Sequence, residues 1–129
     1  MAVDLQKPCF CGTVKTFDQC CKPFLEGSAL PQTAEELMRS RYTAYVLVNA
    51  DYIIKTTHPK TRYLHKKRDI VEWANDSEWL RLEVIATQDN QVVFKAYYRD
   101  KNQQIITHLE HSLFERVDGI WFYVTAVFD

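Results

Sequence analysis

Beyond Cys21 the chain contains no cysteine at all, so any chemistry that needs thiols is confined to its first 21 residues. Glycine and proline are scarce, three and four residues, which leaves no low-complexity segment and predicts short joints between elements. No apolar run approaches the roughly 20 residues a membrane helix requires, so no membrane span is expected. Nor does an apolar signal segment precede the cysteines, and the expected setting is a reducing cytoplasm. An excess of one charge sign is also missing: 16 basic against 17 acidic residues give a formal charge of −1. Global electrostatics therefore select no polyanionic partner and argue against nucleic acid as the main ligand. What the 129 residues do have is 47% hydrophobic and 13% aromatic content, enough for one self-sufficient core.

The four cysteines form a C-x-C-x8-C-C array, Cys9, Cys11, Cys20 and Cys21. Four soft thiolates from one folded-back loop suit a tetrahedral zinc ion, and zinc is the expected cofactor. The C-x-C gap is tight and adjacent cysteines need a backbone twist to face one ion; Gly12, free to take positive φ, relaxes the first constraint. Lys7, Lys15 and Lys22 lie beside the loop to offset the charge of four thiolates. Two disulfides are the competing arrangement, disfavoured by the cytoplasmic setting and by the strain of bonding adjacent cysteines. Catalytic thiols compete less well, since no C-x-x-C pair is present.

Pro8-Cys9-Phe10-Cys11-Gly12 followed by Cys20-Cys21 resembles the SEC-C motif, the small zinc-binding element named for the C-terminus of the SecA translocation ATPase. Leu37-Met38-Arg39-Ser40-Arg41-Tyr42-Thr43-Ala44-Tyr45 and Ala50 to Pro59 resemble the YchJ family of bacterial proteins, as do Glu110 to Glu115 and Gly119 to Tyr123. The resemblance implies a zinc motif over residues 1–27 joined to an α+β domain over 28–129. That domain would be similar to the nuclear-transport-factor-two-like cone, helices packed on a strongly curved antiparallel sheet. It implies no particular activity. Two departures stand out: Gly12-Thr13-Val14-Lys15 replaces the family's Gly-Ser-Gly-Lys, and the C-terminal SEC-C copy of some members is not expected in a chain ending at Asp129.

Pattern alone gives the same order of elements. Gly27 to Gln32 reads as a linker, and Thr33-Ala34-Glu35-Glu36 is a capping-box signature opening a helix from about Ala34 to Val48. Asn49 and Asp51 mark a break and a new start, Pro59 stops the second helix at or before His58, and a third is expected near Asp69 to Asn75. Trp79 to Thr87, Val92 to Arg99, Ile105 to Val117 and Ile120 to Phe128 read as strands joined by polar turns. Asp118-Gly119 is the strongest hairpin signal among those turns. Such short joints allow only antiparallel pairing.

Two rows alternate along the third strand. Hydrophobicity places Ile105, Thr107, Leu109, His111, Leu113, Glu115 and Val117 on the core side. The resemblance places Ile106, His108, Glu110, Ser112, Phe114 and Arg116 there instead, and both assignments stand at this level. If the second row points inward, His108 and Glu110 are neighbours about 7 Å apart at their α-carbons, a histidine oriented by a carboxylate and a candidate general base. Arg39 or Arg41, with Tyr42 or Tyr45, would complete a polar cavity, and Trp73 is the remaining pocket candidate. Otherwise the pair is solvent-exposed, the arginines anchor helix to sheet and the tyrosines are core.

The stretch between Asp51 and Asp69 holds Lys55, Lys60, Arg62, Lys66, Lys67 and Arg68 with His58, Tyr63 and His65 interleaved, either an anion-binding loop or a solvated connector; Trp73 and Trp79 beside it read as core. Two functions follow. In the favoured one a zinc-frozen loop displays Phe10, Phe17, Phe24 and the lysines to a protein partner. In the alternative the cone binds a small-molecule ligand and transforms it as a lyase, isomerase or hydrolase, with structural zinc. Homodimers are compatible with either.

Overall fold

The computed structural model describes residues 4–127. Helices α1 (Lys22–Glu26), α2 (Ala34–Val46), α3 (Ala50–Lys55) and α4 (Lys67–Asp76) precede strands β1 (Glu78–Gln88), β2 (Gln91–Arg99), β3 (Ile105–Val117) and β4 (Ile120–Val127). The strands pair in chain order as one antiparallel meander. This is the α+β arrangement that the segregated helix and strand patterns predict. Phe128, expected to end the last strand, lies outside the described residues.

Local chemistry sets the helix limits. Thr33 Oγ1 accepts from the Glu36 amide at 3.1 Å and opens α2, while Glu36 Oε1 accepts from the Gln32 amide at 2.7 Å. The reciprocal bond thus falls one residue before the capping threonine. α2 stops at Val46, two residues short of the expected end, because Val48 takes φ +57° and the Asn49 amide turns back to the Ala44 carbonyl. α3 ends at Lys55, where the Thr56 and Thr57 hydroxyls fold onto the Tyr52 and Ile53 carbonyls. Those bonds offer the backbone an exit from the helix. The released chain bridges to β4: the His58 amide donates to the Tyr123 carbonyl at 2.7 Å and the Tyr123 amide to the Thr56 carbonyl at 2.8 Å. α1 was not legible as a helix; Pro23 in its first turn and Gly27 at φ +82° bound it.

Asp118 and Gly119 take φ +51° and +83°, the two positive angles a type I′ hairpin requires. Three unmatched residues interrupt the ladders, Leu80 and Ile85 in β1 and Val124 in β4. Such bulges bend a strand and increase its twist, and they curl the meander around α2, which packs on β1, β2 and β4. Leu37, Ile53, Val92 and Phe114 are almost fully enclosed at that junction.

On β3 the row containing Ser112 and Phe114 faces inward, both 1% exposed, whereas Ile105 and Leu109 are 60% and 56% exposed. The hydrophobicity assignment is therefore overturned. It fails because this sheet face lines a cavity as well as a packed core, and a cavity accepts polar side chains that bond one another.

Candidate functional site: a cysteine cluster and the cavity of the cone

The N-terminal loop is closed by the Cys9 amide on the Lys15 carbonyl at 2.9 Å and the Phe17 amide on the Lys7 carbonyl at 3.0 Å. Gly12 takes φ +92° and its amide donates to the Cys9 carbonyl, so the tight C-x-C turn uses a conformation other residues resist. A 3₁₀ turn at Phe17–Gln19 delivers Cys20 with φ −116° and ψ −95°, and Cys21 caps α1. This is the twist that adjacent cysteines need. All four Sγ atoms lie within 4.8 Å of one another, with Cys11 to Cys20 at 3.6 Å and Cys20 to Cys21 at 4.0 Å. Four sulfurs each 2.3 Å from a tetrahedral ion would be spaced by about 3.8 Å. The cluster is placed to hold a metal ion, and none of its cysteines is in a disulfide.

Crowding makes the free thiols unequal. Hydrogen bonds from Cys21 and Cys9 hold the Cys11 thiol far below its ordinary range, while Cys21, which donates to Cys11 and Cys9, is pushed far up. Burial raises Cys20 to about 11. Cys11 thus forms its thiolate readily, whereas Cys20 and Cys21 keep their protons until a cation displaces them.

The loop is docked, not free. Thr43 Oγ1 donates to Cys21 Sγ at 3.3 Å, and Arg39 Nη1 donates to the Cys11 carbonyl at 2.6 Å while its Nε reaches Glu35 at 2.9 Å. Arg39 of α2 thus brings a positive charge to the loop, while Lys22 pairs with Glu26 at 2.7 Å. Phe17 is buried, edge-on to Phe10 at 5.6 Å, and Phe24 is packed against the core. Of the three rings expected on display, only Phe10 is exposed.

On the opposite side of α2 lies a cavity of about 340 Å³, lined among others by Arg41, Tyr42, Tyr45, Trp73, His108 and Glu110. At 100° per residue Arg39 and Thr43 project about 200° from Arg41 and Tyr45, so one helix serves the cysteine loop and the cavity from opposite faces. Tyr45, Trp73 and Trp79 form an aromatic wall with ring centroids 5.2–5.7 Å apart. Trp73 also meets the His108 ring at 5.7 Å. Both tryptophans are half-buried: Trp73 lines the cavity, in keeping with its place among the pocket candidates, and Trp79 lines it while also packing against the core.

Glu110 organises the floor. Its Oε1 pairs with His108 Nε2 at 2.8 Å, and its Oε2 accepts from Ser112 Oγ at 2.5 Å and Tyr123 Oη at 3.3 Å. Burial works to raise its pKa, but the bonds from His108, Ser112 and Tyr123 outweigh it and keep the carboxyl below its ordinary value. Burial pushes the Tyr45 phenol up and Tyr42 to about 12, so both stay neutral donors. Arg41 is 8% exposed; its Nη1 donates to the Ile53 carbonyl and the Thr56 and Thr57 hydroxyls at 2.9, 2.7 and 3.3 Å. Its guanidinium lies 4.4 Å above the Tyr123 ring.

The basic stretch disperses. Arg62 bonds the Thr57 and Lys55 carbonyls, Lys67 pairs with Asp51 at 3.0 Å, and Arg68 with Asp69 at 3.5 Å. His58 is buried, its Nε2 3.4 Å from Glu115. Only His65 and Lys66 of this group reach the cavity. Sequence reasoning missed Tyr123 and His65 as lining, while Ser112 belongs to the row that the resemblance turned inward. Tyr123 was findable: counting back from the Asp118-Gly119 turn sets it opposite Phe114.

A metal-competent cysteine knuckle docked on a helix-roofed, curved-sheet cone defines a SEC-C protein with an NTF2-like domain. Residues 33–126 match the family model described as the YchJ middle NTF2-like domain, and the chain belongs to the YchJ family. It is similar to UPF0225 proteins of Actinobacillus succinogenes, 40% identical over 92% of this chain and 80% of the relative, and of Geobacter sulfurreducens, 43% identical over 89% and 75%. Among solved structures, a SEC-C motif containing protein from Rhodopseudomonas palustris superposes with TM-score 0.87 at 35% identity, covering 93% of this chain and 97% of that one. One from Psychrobacter arcticus gives 0.79 at 29% identity, covering 97% and 85%.

Proposed function

We propose that the cone binds a small organic molecule and that Cys9, Cys11, Cys20 and Cys21 hold a structural zinc ion that braces its α2 roof in the cytoplasm. The observation carrying this reading is the Glu110 network with His108, Ser112 and Tyr123 on the floor of an aromatic-walled cavity. Ligand pockets have this character, mostly apolar walls of about 300 Å³ or more with a few convergent polar groups. Zinc is favoured by the all-sulfur donor set, and four protein thiolates leave no coordination position for substrate. His108, oriented by Glu110, is the candidate general base for proton transfer on a bound molecule.

Native mass spectrometry of never-denatured protein should show one zinc per chain, and NMR titration with a fragment library should move the Trp73 and Trp79 indole signals. Fragments that perturb only the Phe10 to Lys15 loop, or nothing, would defeat the cone reading. A second reading, a protein partner gripping that loop, is supported by Val14 at 97% and Phe10 at 38% exposure. Under it, Val14→Asp abolishes partner capture while leaving the indole responses unchanged.

A further inference from the structure

Arg41 is more than nine-tenths buried, yet among the described residues its only hydrogen bonds run through Nη1 and no carboxylate pairs with it. No fully enclosed side-chain nitrogen of the described residues lacks a partner, so Nε and Nη2 keep some exposure, and Arg41 is among the residues lining the cavity. Those two nitrogens form one edge of the planar guanidinium, the edge that takes both oxygens of a carboxylate in parallel. The protein has fixed the opposite corner by three acceptors on α3 and its exit, so the free edge is held in one orientation. An unpaired buried cation is costly, and burial works against the charge of Arg41. A ligand that brings a negative charge to that edge removes the cost.

The neighbours of Arg41 narrow the class. The Tyr123 ring lies under the guanidinium while its hydroxyl reaches Glu110, so this side chain stands between the two charges. Glu110 is itself engaged by three donors and leaves the arginine edge to a ligand. At the mouth, Lys66 lines the same cavity and has no ion-pair partner among the described residues, which favours entry of an anion. The Trp73 and Trp79 wall accommodates a flat apolar body. A phosphate dianion, by contrast, calls for more than one buried cation, and the inner cavity offers a single arginine.

We infer that the cone is a site for a small flat organic monocarboxylate, its carboxylate held by the Nε and Nη2 edge of Arg41 and its body packed on Trp73 and Trp79. This rests on the cone being the ligand site. The test is titration of the zinc-loaded full chain with benzoate, phenylacetate and 4-hydroxyphenylacetate, each beside its neutral amide, followed through the tryptophan signals. Each acid should bind about tenfold or more tightly than its amide, the scale of a charge-assisted bidentate pair. Arg41→Lys keeps the charge but not the fork and should lose most of that preference. Lys66→Ala, on the surface, should slow acid association severalfold and flatten its salt dependence, an effect much larger than any on the neutral amides. Acids and amides binding equally at the indoles would overturn the carboxylate inference and leave the cone reading intact. Phenyl phosphate binding better than benzoate would overturn it in the same way. No response from any of these probes would overturn both. Should Arg41→Lys fail to fold, the acid-to-amide ratio on the unaltered protein together with Lys66→Ala still decides.

Discussion

The two faces of α2 handle polar groups in opposite ways. Toward the cysteine loop every group is spoken for: Thr43 donates to a sulfur, Arg39 is shared between Glu35 and the Cys11 carbonyl, and three of the four cysteines are buried. Toward the cone, Arg41 keeps one edge without a partner among the described residues and His108 stays half-buried beside an open volume. A closed polar site is built to hold the chain in one shape, whereas one that keeps donors in reserve is built to receive something. Perturbing the first should therefore move stability, and perturbing the second should move binding.

The largest effect is expected at the closed site. Cys11→Ser, or removal of the metal by a strong chelator, takes away much of a binding free energy that in structural zinc sites is on the order of 10 kcal/mol. Even a third of that amount, at about 3–4 °C per kcal/mol for a chain of this length, lowers Tm by roughly 10 °C. Because the loop bonds α2 through Arg39 and Thr43, the loss should reach the cone, broadening the Trp73 and Trp79 signals. A metal-free protein with native Tm and sharp indole signals would show that the loop does not brace the roof.

Smaller, and of a different kind, is the effect at Glu110. Its carboxyl titrates below the ordinary 4.5 in the folded chain, so the stability it contributes is fully present above that value. This contribution declines as pH falls below 4.5 and is lost as pH passes through the folded pKa. Glu110→Gln leaves hydrogen-bond partners mismatched and should cost about 1–3 kcal/mol at pH 7. The gap between the two proteins should close on acidification, and any acid-induced metal loss common to both cancels in the difference. A gap constant from pH 7 to pH 3 would mean the carboxylate charge is not what the floor requires.

The closed site was far more legible than the open one, for a physical reason. All four sulfurs come from one segment, so spacing alone names them, and helix and strand periods carry the order of elements. The division of α2 between two sites depends on where a loop 28 residues away docks its Cys11 carbonyl, and on Tyr123, 82 positions beyond Arg41, meeting its guanidinium. No local pattern records such pairings. The face of β3 was ambiguous because both rows carry apolar residues, and exposed Ile105 and Leu109 look like core until the cavity is in place. Leu80 and Ile85 mislead likewise: as bulge residues they sit at 40% and 48% exposure within apparently regular strand sequence.

The finest separation of the two regions comes from two glycines with nearly the same backbone. Gly12 has φ +92° in the cysteine loop and Gly119 has φ +83° in the β3–β4 hairpin. Alanine at either position strains the left-handed conformation by about 1 kcal/mol, a fall in Tm of roughly 3–4 °C. At Gly119 an added methyl meets nothing within 4 Å, so that backbone term is the whole effect. At Gly12 the methyl meets the Leu82 carbonyl at 3.5 Å and Arg39 Nη1 at 3.9 Å, ordinary contacts, so the steric terms are alike. The difference is that the Gly12 amide donates to the Cys9 carbonyl and sets the turn between two of the proposed ligands. If the cluster holds the proposed zinc, Gly12→Ala should therefore also release it more readily to a competing chelator, while Gly119→Ala should match the unaltered chain in that competition. Equal zinc retention by both variants would mean that the C-x-C turn adapts freely and that its glycine shapes the fold without tuning the metal.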